Sequence, residues 1–92
     1  MKLDRQAALV TGGASGLGAA TAKALASAKV KVAILDTDIE GGKAIAKEID
    51  GIAIECDVSN EQSGERAIEI AREKHGPARV LINCAGIGPA ER

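Results

Sequence analysis

The chain has 92 residues, no Phe, Trp or Tyr, and a net charge of −1 from 12 Lys and Arg and 13 Asp and Glu. This balance excludes the strongly basic surface that binds nucleic acids or anionic membranes, so we expect neither partner. Apolar runs such as residues 32–35 are too short to cross a bilayer. The acidic Asp4 lies where the apolar core of a secretory signal peptide would begin, so we expect no such signal. We therefore expect a small cytoplasmic domain in which no tyrosine can act as an acid or a base.

Four short apolar segments alternate with three segments of helical periodicity. The apolar segments are rich in Val, Ile and Leu, as strands covered on both faces are. The helical segments repeat their apolar residues every three or four positions. The pattern predicts strands over 6–11, 30–36, 52–57 and 79–83, and helices over 15–29, 38–49 and 60–75.

Polar residues and glycine mark where the helices begin and end. Asp38 is placed to cap the second helix, and either Asn60 or Ser59 is placed to cap the third. Gly76 followed by Pro77 is a stop signal for that third helix. For the first helix, the periodicity predicts that its sheet-facing stripe consists of Leu17, Thr21, Ala24, Leu25 and Ala28.

Alternation of strands and helices predicts parallel strands joined by right-handed crossovers. The expected fold is α/β, a Rossmann-type doubly wound parallel sheet of pattern β-α-β-α-β-α-β with strand order 3-2-1-4. Its fourth strand would then be an apolar edge, and a buried-type strand makes a poor edge because its backbone groups lie unpaired. We therefore expect residues 1–92 to be the front part of a larger sheet, or the fourth strand to have another cover.

A glycine-rich turn, residues 11–18, joins the first strand to the first helix. Backbone N–H groups and the helix dipole converge there, which favours binding of a pyrophosphate. Gly12, Gly16 and Gly18 follow the spacing G-x-x-x-G-x-G, one residue longer than the common G-x-G-x-x-G. The alternative is a turn that merely permits tight packing.

An acid, Asp36, closes the second strand, 18 residues after Gly18. A carboxylate in this position accepts hydrogen bonds from ribose hydroxyls and repels a 2′-phosphate. Thr37 and Asp38 follow it, and no Lys or Arg stands beside it, so the pattern favours NAD over NADP. Alternatively, Asp36 is only a turn or cap residue.

Polar residues also end the other two strands. Asp57 ends the third strand and Asn83 the fourth, so both would lie at the mouth where ligands of open α/β sheets bind. Asp57 has a second interpretation as the N-cap of the third helix, and Asn83 has one as a tie between strands. The two cysteines, Cys56 and Cys84, do not form a CxxC motif and are too few for a disulfide framework. We therefore expect two buried reduced thiols and no metal site.

These residues together resemble the short-chain dehydrogenase/reductase family, over nearly the whole chain. The chain is similar in particular to the branch of type 2 3-hydroxyacyl-CoA dehydrogenases, which also accept hydroxysteroids. One departure is Lys29, where family members often have glycine. The motif T-G-x-x-x-G-x-G matches Thr11, Gly12, Gly16 and Gly18; the acid matches Asp36; Asp57 stands beside Val58; and N-N-A-G corresponds to Asn83, Cys84, Ala85 and Gly86, with Cys in place of the second Asn.

The resemblance implies an NAD site and an oxidoreductase that passes hydride between a secondary alcohol or ketone and NAD. Ser15 and Leu17 would contact the pyrophosphate and nicotinamide side, and Cys84 would lie against the cofactor through its backbone. Asp36 would hold the ribose, and Asp57 with Val58 would hold the adenine. The full-length enzyme would act on a small-molecule substrate as a homo-oligomer.

The resemblance also implies what this chain lacks. The family's Tyr-x-x-x-Lys pair, Ser and Asn follow the fourth strand, so we assign no catalytic residue here and expect no dehydrogenase activity from these 92 residues alone. His75 stands at a helix end, where a positive charge suits the dipole. One alternative is a self-contained nucleotide-binding or sensing module without catalysis. Another, a flavodoxin-like receiver domain, lacks the acids expected after its first strand.

Overall fold

A computed structural model describes residues 6–14 and 16–84 of the chain. Strands and helices alternate through this part, as the periodicity predicts. Ser15, Ala85 and Gly86, which the family resemblance assigns to the cofactor site, lie outside the described residues. The elements are β1 (Ala7–Thr11), α1 (Gly16–Ser27), β2 (Lys31–Asp36), α2 (Ile39–Ile49), β3 (Ile52–Glu55), α3 (Glu61–His75) and β4 (Ala78–Asn83).

The four strands form one parallel sheet in the order β3-β2-β1-β4, which confirms the predicted topology. β1 pairs with β2 on one side, with Thr11 opposite Leu35, and with β4 on the other, with Thr11 opposite Asn83. β2 pairs with β3, with Asp36 opposite Glu55. The carboxyl ends of all four strands therefore lie along one edge of the sheet.

Helices cover both faces of the sheet, so the fold is doubly wound. α1 and α2 pack on one face, over a core that includes Val10, Val32 and Ile34. α3 packs on the other face, over Leu9, Leu35 and Cys56 among others. Each face of β1 and β2 is buried, which is why these strands are almost uninterrupted runs of apolar residues.

The helix residues that are buried against the sheet have small side chains. The buried residues of α1 are Gly18, Ala19 and Ala22, so the predicted stripe of this helix is wrong except at Leu25, which packs against the core. Leu17 is 63% exposed, Ala24 and Ala28 are exposed, and Thr21 and Leu25 are only half-buried. At the start of α1 the reason is the glycine turn, because Gly18 lies so close to the backbone of Gly12 that no side chain fits there.

The helix ends follow the predicted capping. The Asp38 side chain accepts a hydrogen bond from the N–H of Gly41 at 3.0 Å and caps α2. Asn60 rather than Ser59 caps α3, because its side chain accepts from the N–H of Ser63 at 2.9 Å. Gly76, with φ of 85°, ends α3.

Among residues 6–14 and 16–84, two residues other than glycine have left-handed backbones, and both follow helices. Lys29 has φ of 66°, as its place beyond α1 implies, and Asp50 has φ of 57° at the end of α2. A left-handed conformation costs a side-chain-bearing residue about 1 kcal/mol, so Lys29 is a small local strain.

β3 ends two residues earlier than predicted, at Glu55 rather than Asp57. The Asp57 carboxylate accepts hydrogen bonds from both the N–H and the hydroxyl of Ser59, at 3.0 and 2.6 Å. This local turn draws the chain away from the sheet before α3 begins.

β4 is the predicted apolar edge. It pairs only with β1 in the described part of the chain. Leu81 is 65% exposed, and Ile68 of α3 is 49% exposed beside it. They border an open groove of about 380 Å³ that also contains Leu9, Pro77 and Val80. An exposed apolar groove along an unpaired strand is typical of a surface that another segment or chain covers.

The close approach of α1 to the glycine turn gives a direct stability test. A Cβ at Gly18 would collide with the backbone carbonyl of Gly12, whereas a Cβ at Gly64 in α3 meets nothing within 4 Å. Gly18→Ala should therefore destabilise the fold by about 3 kcal/mol, at the upper end of the cost of overpacking. Gly64→Ala should stabilise it by about 0.5–1 kcal/mol through helix propensity. Urea unfolding of both variants measures the difference, and equal free energies of unfolding would contradict this packing.

Candidate functional site

The candidate site lies at the carboxyl edge of the sheet, where the ends of β1, β2 and β3 meet. Its walls enclose a small cleft of about 120 Å³. Whole small-molecule sites occupy about 300–1,000 Å³, so this cleft can hold only part of a larger ligand. The cleft is lined by Gly12, Leu35, Asp36, Thr37, Cys56, Asp57 and Val58.

The glycine turn has the backbone conformations that its sequence requires. Gly12 and Gly16 have φ of 70° and 60°, which side-chain-bearing residues rarely adopt. The N–H of Gly12 donates to the carbonyl of Leu35 at 2.8 Å, which fixes the start of the turn to the end of β2. With Gly18 packed against Gly12, the turn feeds directly into α1. This is the arrangement in which backbone N–H groups and a helix N-terminus can meet a phosphate.

Asp36 joins this turn to the start of α2. Its Oδ2 accepts a hydrogen bond from the N–H of Ala14 at 3.0 Å, and its Oδ1 accepts from the N–H of Asp38 at 2.9 Å. The alternative of a turn residue is therefore correct as a description of its structural role. That role leaves room for a ligand, because each carboxylate oxygen has a second lone pair.

Asp57 and Val58 form the wall opposite Asp36. Both are exposed, Val58 by 51%. Asp57 is not the N-cap of α3, which is Asn60; instead its N–H donates to the hydroxyl of Ser63 at 2.9 Å. The hydrogen bond from the Ser59 hydroxyl, then that from the Ser59 N–H, lowers the pKa of Asp57 below its ordinary value of 3.8, against a smaller opposing effect of burial.

Asn83 ties β4 to β1, as its second interpretation states. The buried Thr11 hydroxyl donates to Asn83 Oδ1 at 2.7 Å, and the N–H of Cys84 donates to the Thr11 carbonyl at 3.0 Å. These bonds fix the position of the β4 end beside the glycine turn. Neither Asn83 nor Cys84 lines the small cleft, so the structure separates them from the Asp36 and Asp57 walls.

The two cysteines differ in burial. Cys56 is 2% exposed and lies beneath the cleft, whereas Cys84 is half-buried, so the expectation of two buried thiols holds only for the first. Leu17 is exposed on the first turn of α1, next to the glycine turn.

A larger polar cavity of about 380 Å³ adjoins the small cleft and shares Thr37 and Asp57 with it. Of its other lining residues, the sequence pointed only to Asn60, and to that residue only as a helix cap. Gln62, Ser63 and Arg66 lie in the first two turns of α3, and their spacing of three and four residues is the available signal, because it puts them on one face of the helix. The remaining lining residues are Glu55 and Asn60.

His75 lies outside this site, at the end of α3. Burial, and next the charge of Lys31, lower the pKa of His75. The expected positive charge at this helix end is therefore disfavoured rather than favoured.

Comparison with known proteins agrees with this geometry. A model of the family described as short chain dehydrogenase matches residues 6–92. The chain belongs to the short chain dehydrogenase family. The match begins at the residue before β1, so it includes the glycine turn and all four strand ends.

Individual members of the short chain dehydrogenase family are also similar to the chain. Human 3-hydroxyacyl-CoA dehydrogenase type-2 is 39% identical over 87 residues, which cover 92% of this chain and 33% of that protein. A crystal structure of 3-ketoacyl-(acyl-carrier-protein) reductase from Brucella melitensis, complexed with NADH, is 37% identical with a TM-score of 0.83. It matches 86% of this chain and 34% of its own.

The same family likeness extends to a protein with a different name. A crystal structure of ribose-5-phosphate isomerase from Brucella melitensis 16M has a TM-score of 0.87 and 35% identity, and covers 94% of this chain and 34% of its own. The chain thus spans about a third of the length of the proteins that it matches. Similarity over that third fixes the fold and the family rather than one substrate.

Within residues 6–14 and 16–84, no helix is both long and apolar enough to cross a membrane. The same residues contain no cluster of three His, Cys, Asp or Glu arranged to hold a metal ion.

The lowered pKa of Asp57 predicts a pH dependence of stability. Because the unfolded chain takes up the proton first as the pH falls below 3.8, stability that is present above this value is lost as the pH falls towards the folded pKa. Asp57→Asn should remove this contribution and flatten the fall in melting temperature below about pH 4. Thermal unfolding between pH 6 and pH 2 measures it, with Glu69→Gln on α3 as the control. An unchanged acid limb in Asp57→Asn would contradict the assigned hydrogen bonds.

Proposed function

We propose that the cleft between Asp36 and Asp57 binds the adenosine half of NAD, and that residues 1–92 form the NAD-binding part of a larger single-domain oxidoreductase. The observation that carries this proposal is the Asp36 carboxylate, held at the glycine turn with lone pairs free for ribose hydroxyls. When bound, NAD accepts or donates the hydride.

The residues present fit such a cofactor. Positive φ at Gly12 and Gly16 opens the turn to a pyrophosphate, and the dipole of α1 favours its charge. Asp36 supports binding of the ribose, and the exposed Asp57 and Val58 support contacts with the adenine. Gly18 allows α1 to approach closely enough for its first N–H groups to reach the phosphates. The other proposed contacts come from Ser15, Leu17, Asn83, Cys84, Ala85 and Gly86.

The substrate and setting are proposed from the relatives. The name of human 3-hydroxyacyl-CoA dehydrogenase type-2 supports a 3-hydroxyacyl-CoA, which is a secondary alcohol, or the corresponding ketone. The family resemblance described above adds hydroxysteroids as a second substrate class. The substrate would meet the nicotinamide on the β4 side of the sheet. We further propose a cytoplasmic enzyme, in agreement with two cysteines that form no disulfide, and a homo-oligomer at full length.

Cofactor binding is tested by calorimetric titration of the chain with NAD and with NADP. NAD should bind more tightly, because Asp36 accepts hydrogen bonds from ribose hydroxyls and repels a 2′-phosphate. Asp36→Ala should weaken NAD binding by about tenfold to a hundredfold, the size of one charge-assisted hydrogen bond, and should narrow the difference between NAD and NADP.

The control for this titration is Glu48→Ala, an exposed acid near the far end of α2. It removes the same charge and should leave both affinities unchanged. Equal affinity of the unmodified chain for NAD and NADP would contradict the ribose assignment, and absence of binding to either would contradict the proposed function.

A further inference from the structure

We infer that Asp38 is a second specificity-determining residue. Its own carboxylate occupies the N-terminus of α2 and thereby excludes a 2′-phosphate from that position. This inference rests on the proposed function, in which Asp36 accepts hydrogen bonds from the adenosine ribose. From the sequence, Asp38 is a helix cap and one of two residues after Asp36 that carry no positive charge; the structure adds a role for its own negative charge.

The contacts of Asp36 place Asp38 beside the ribose position. The N–H of Asp38 donates to Asp36 Oδ1 at 2.9 Å, so Asp38 lies directly beside the Asp36 carboxylate. A 2′-phosphate is joined by a single ester bond to the oxygen that Asp36 would otherwise contact. Such a phosphate would therefore enter the space next to Asp38 and the first turn of α2.

The first turn of α2 is also pressed against the glycine turn. A Cβ added at Gly41 would lie 3.3 Å from the Cβ of Ala14, and would collide with the Asp38 carboxylate. The N-terminus of α2 is thus fixed at the same edge of the cleft as the pyrophosphate turn. Without an acid here, its N–H groups and its dipole would attract a phosphate.

Asp38 removes that attraction in two ways. Its Oδ1 accepts the hydrogen bond of the Gly41 N–H at 3.0 Å, so this donor is already used. Its negative charge offsets the helix dipole and adds to the charge of Asp36. The only residue between them, Thr37, is neutral and exposed, and no Lys or Arg is among the residues that line the small cleft. Two acids rather than one therefore face a 2′-phosphate.

The variant that isolates this effect is Asp38→Asn. Asparagine caps a helix about as well as aspartate, so the capping hydrogen bond stays and only the charge is lost. The matched control is Asp50→Asn at the other end of α2, where φ is 57° and asparagine tolerates a left-handed backbone. Both variants change the net charge of the chain by the same amount.

Titration of the three proteins with NAD and NADP tests the inference. In Asp38→Asn we expect NADP to bind on the order of tenfold more tightly, the size of one solvent-screened interaction between a carboxylate and a doubly charged phosphate, with NAD affinity changed less than twofold. In Asp50→Asn neither affinity should change by more than twofold. Melting temperatures close to that of the parent chain show that the caps are intact.

Two results would overturn the inference and are distinguishable from each other. If the parent chain prefers NAD but Asp38→Asn leaves the ratio of NAD to NADP affinity unchanged, or if Asp50→Asn changes it equally, Asp38 has no local role and the proposed function stands. If the parent chain binds neither cofactor, the proposed function fails, and the inference fails with it.

Discussion

The carboxylate of Asp36 is the interaction on which the candidate site depends. It accepts one hydrogen bond from the glycine turn and one from the start of α2, so a single side chain joins the segments that follow β1 and β2. Backbone N–H groups that could otherwise point into solvent are thereby oriented before any ligand is present. A preformed site loses less conformational entropy on binding, which is the advantage of holding it with the protein's own bonds.

This arrangement requires the helices to lie close to the sheet, and the composition permits it. With no aromatic side chain in the sequence, the largest fully buried side chains are Ile34, Val10, Val32 and Cys56. Alanine and glycine form most of the helix surfaces that face the strands. Small residues bury little area each, so the core gains less from the hydrophobic effect than an aromatic core does. Their small size allows α1 to lie in close contact with the glycine turn.

Much of the fold could be predicted from the sequence. Apolar runs separated by helical periods determined the element order, and the crossover rule gave the strand order 3-2-1-4. Local chemistry also predicted the cap at Asp38, because a polar side chain before a helix satisfies its free N–H groups. For α3 it narrowed the cap to Asn60 or Ser59, and the structure has Asn60. These features depend on neighbours in the chain, which a sequence shows directly.

What failed depended on distances between elements. Periodicity placed Leu17 on the buried face of α1, but periodicity gives only a repeat and does not say which stripe meets the sheet when glycine allows close approach. By sequence alone, Asp57 could lie at the ligand mouth or cap α3; the cap is Asn60, and Asp57 instead accepts hydrogen bonds from Ser59. The hydrogen bond from the N–H of Ala14 to Asp36 joins residues 22 apart in the chain, so no local sequence pattern predicts it. The effect of the Asp38 charge on a 2′-phosphate likewise depends on which residues lie around Asp38 in the fold.

The central claim is that Asp36 organises a preformed adenosine site at the carboxyl edge of the sheet. Backbone amide NMR spectra of the labelled chain during NAD titration test it most directly. The account predicts shifts at Gly12, Ala14, Asp38 and Val58, with little change at Lys31 and Ala78, where β2 and β4 begin at the opposite edge. Shifts concentrated at that opposite edge, or none at saturating NAD, would contradict it.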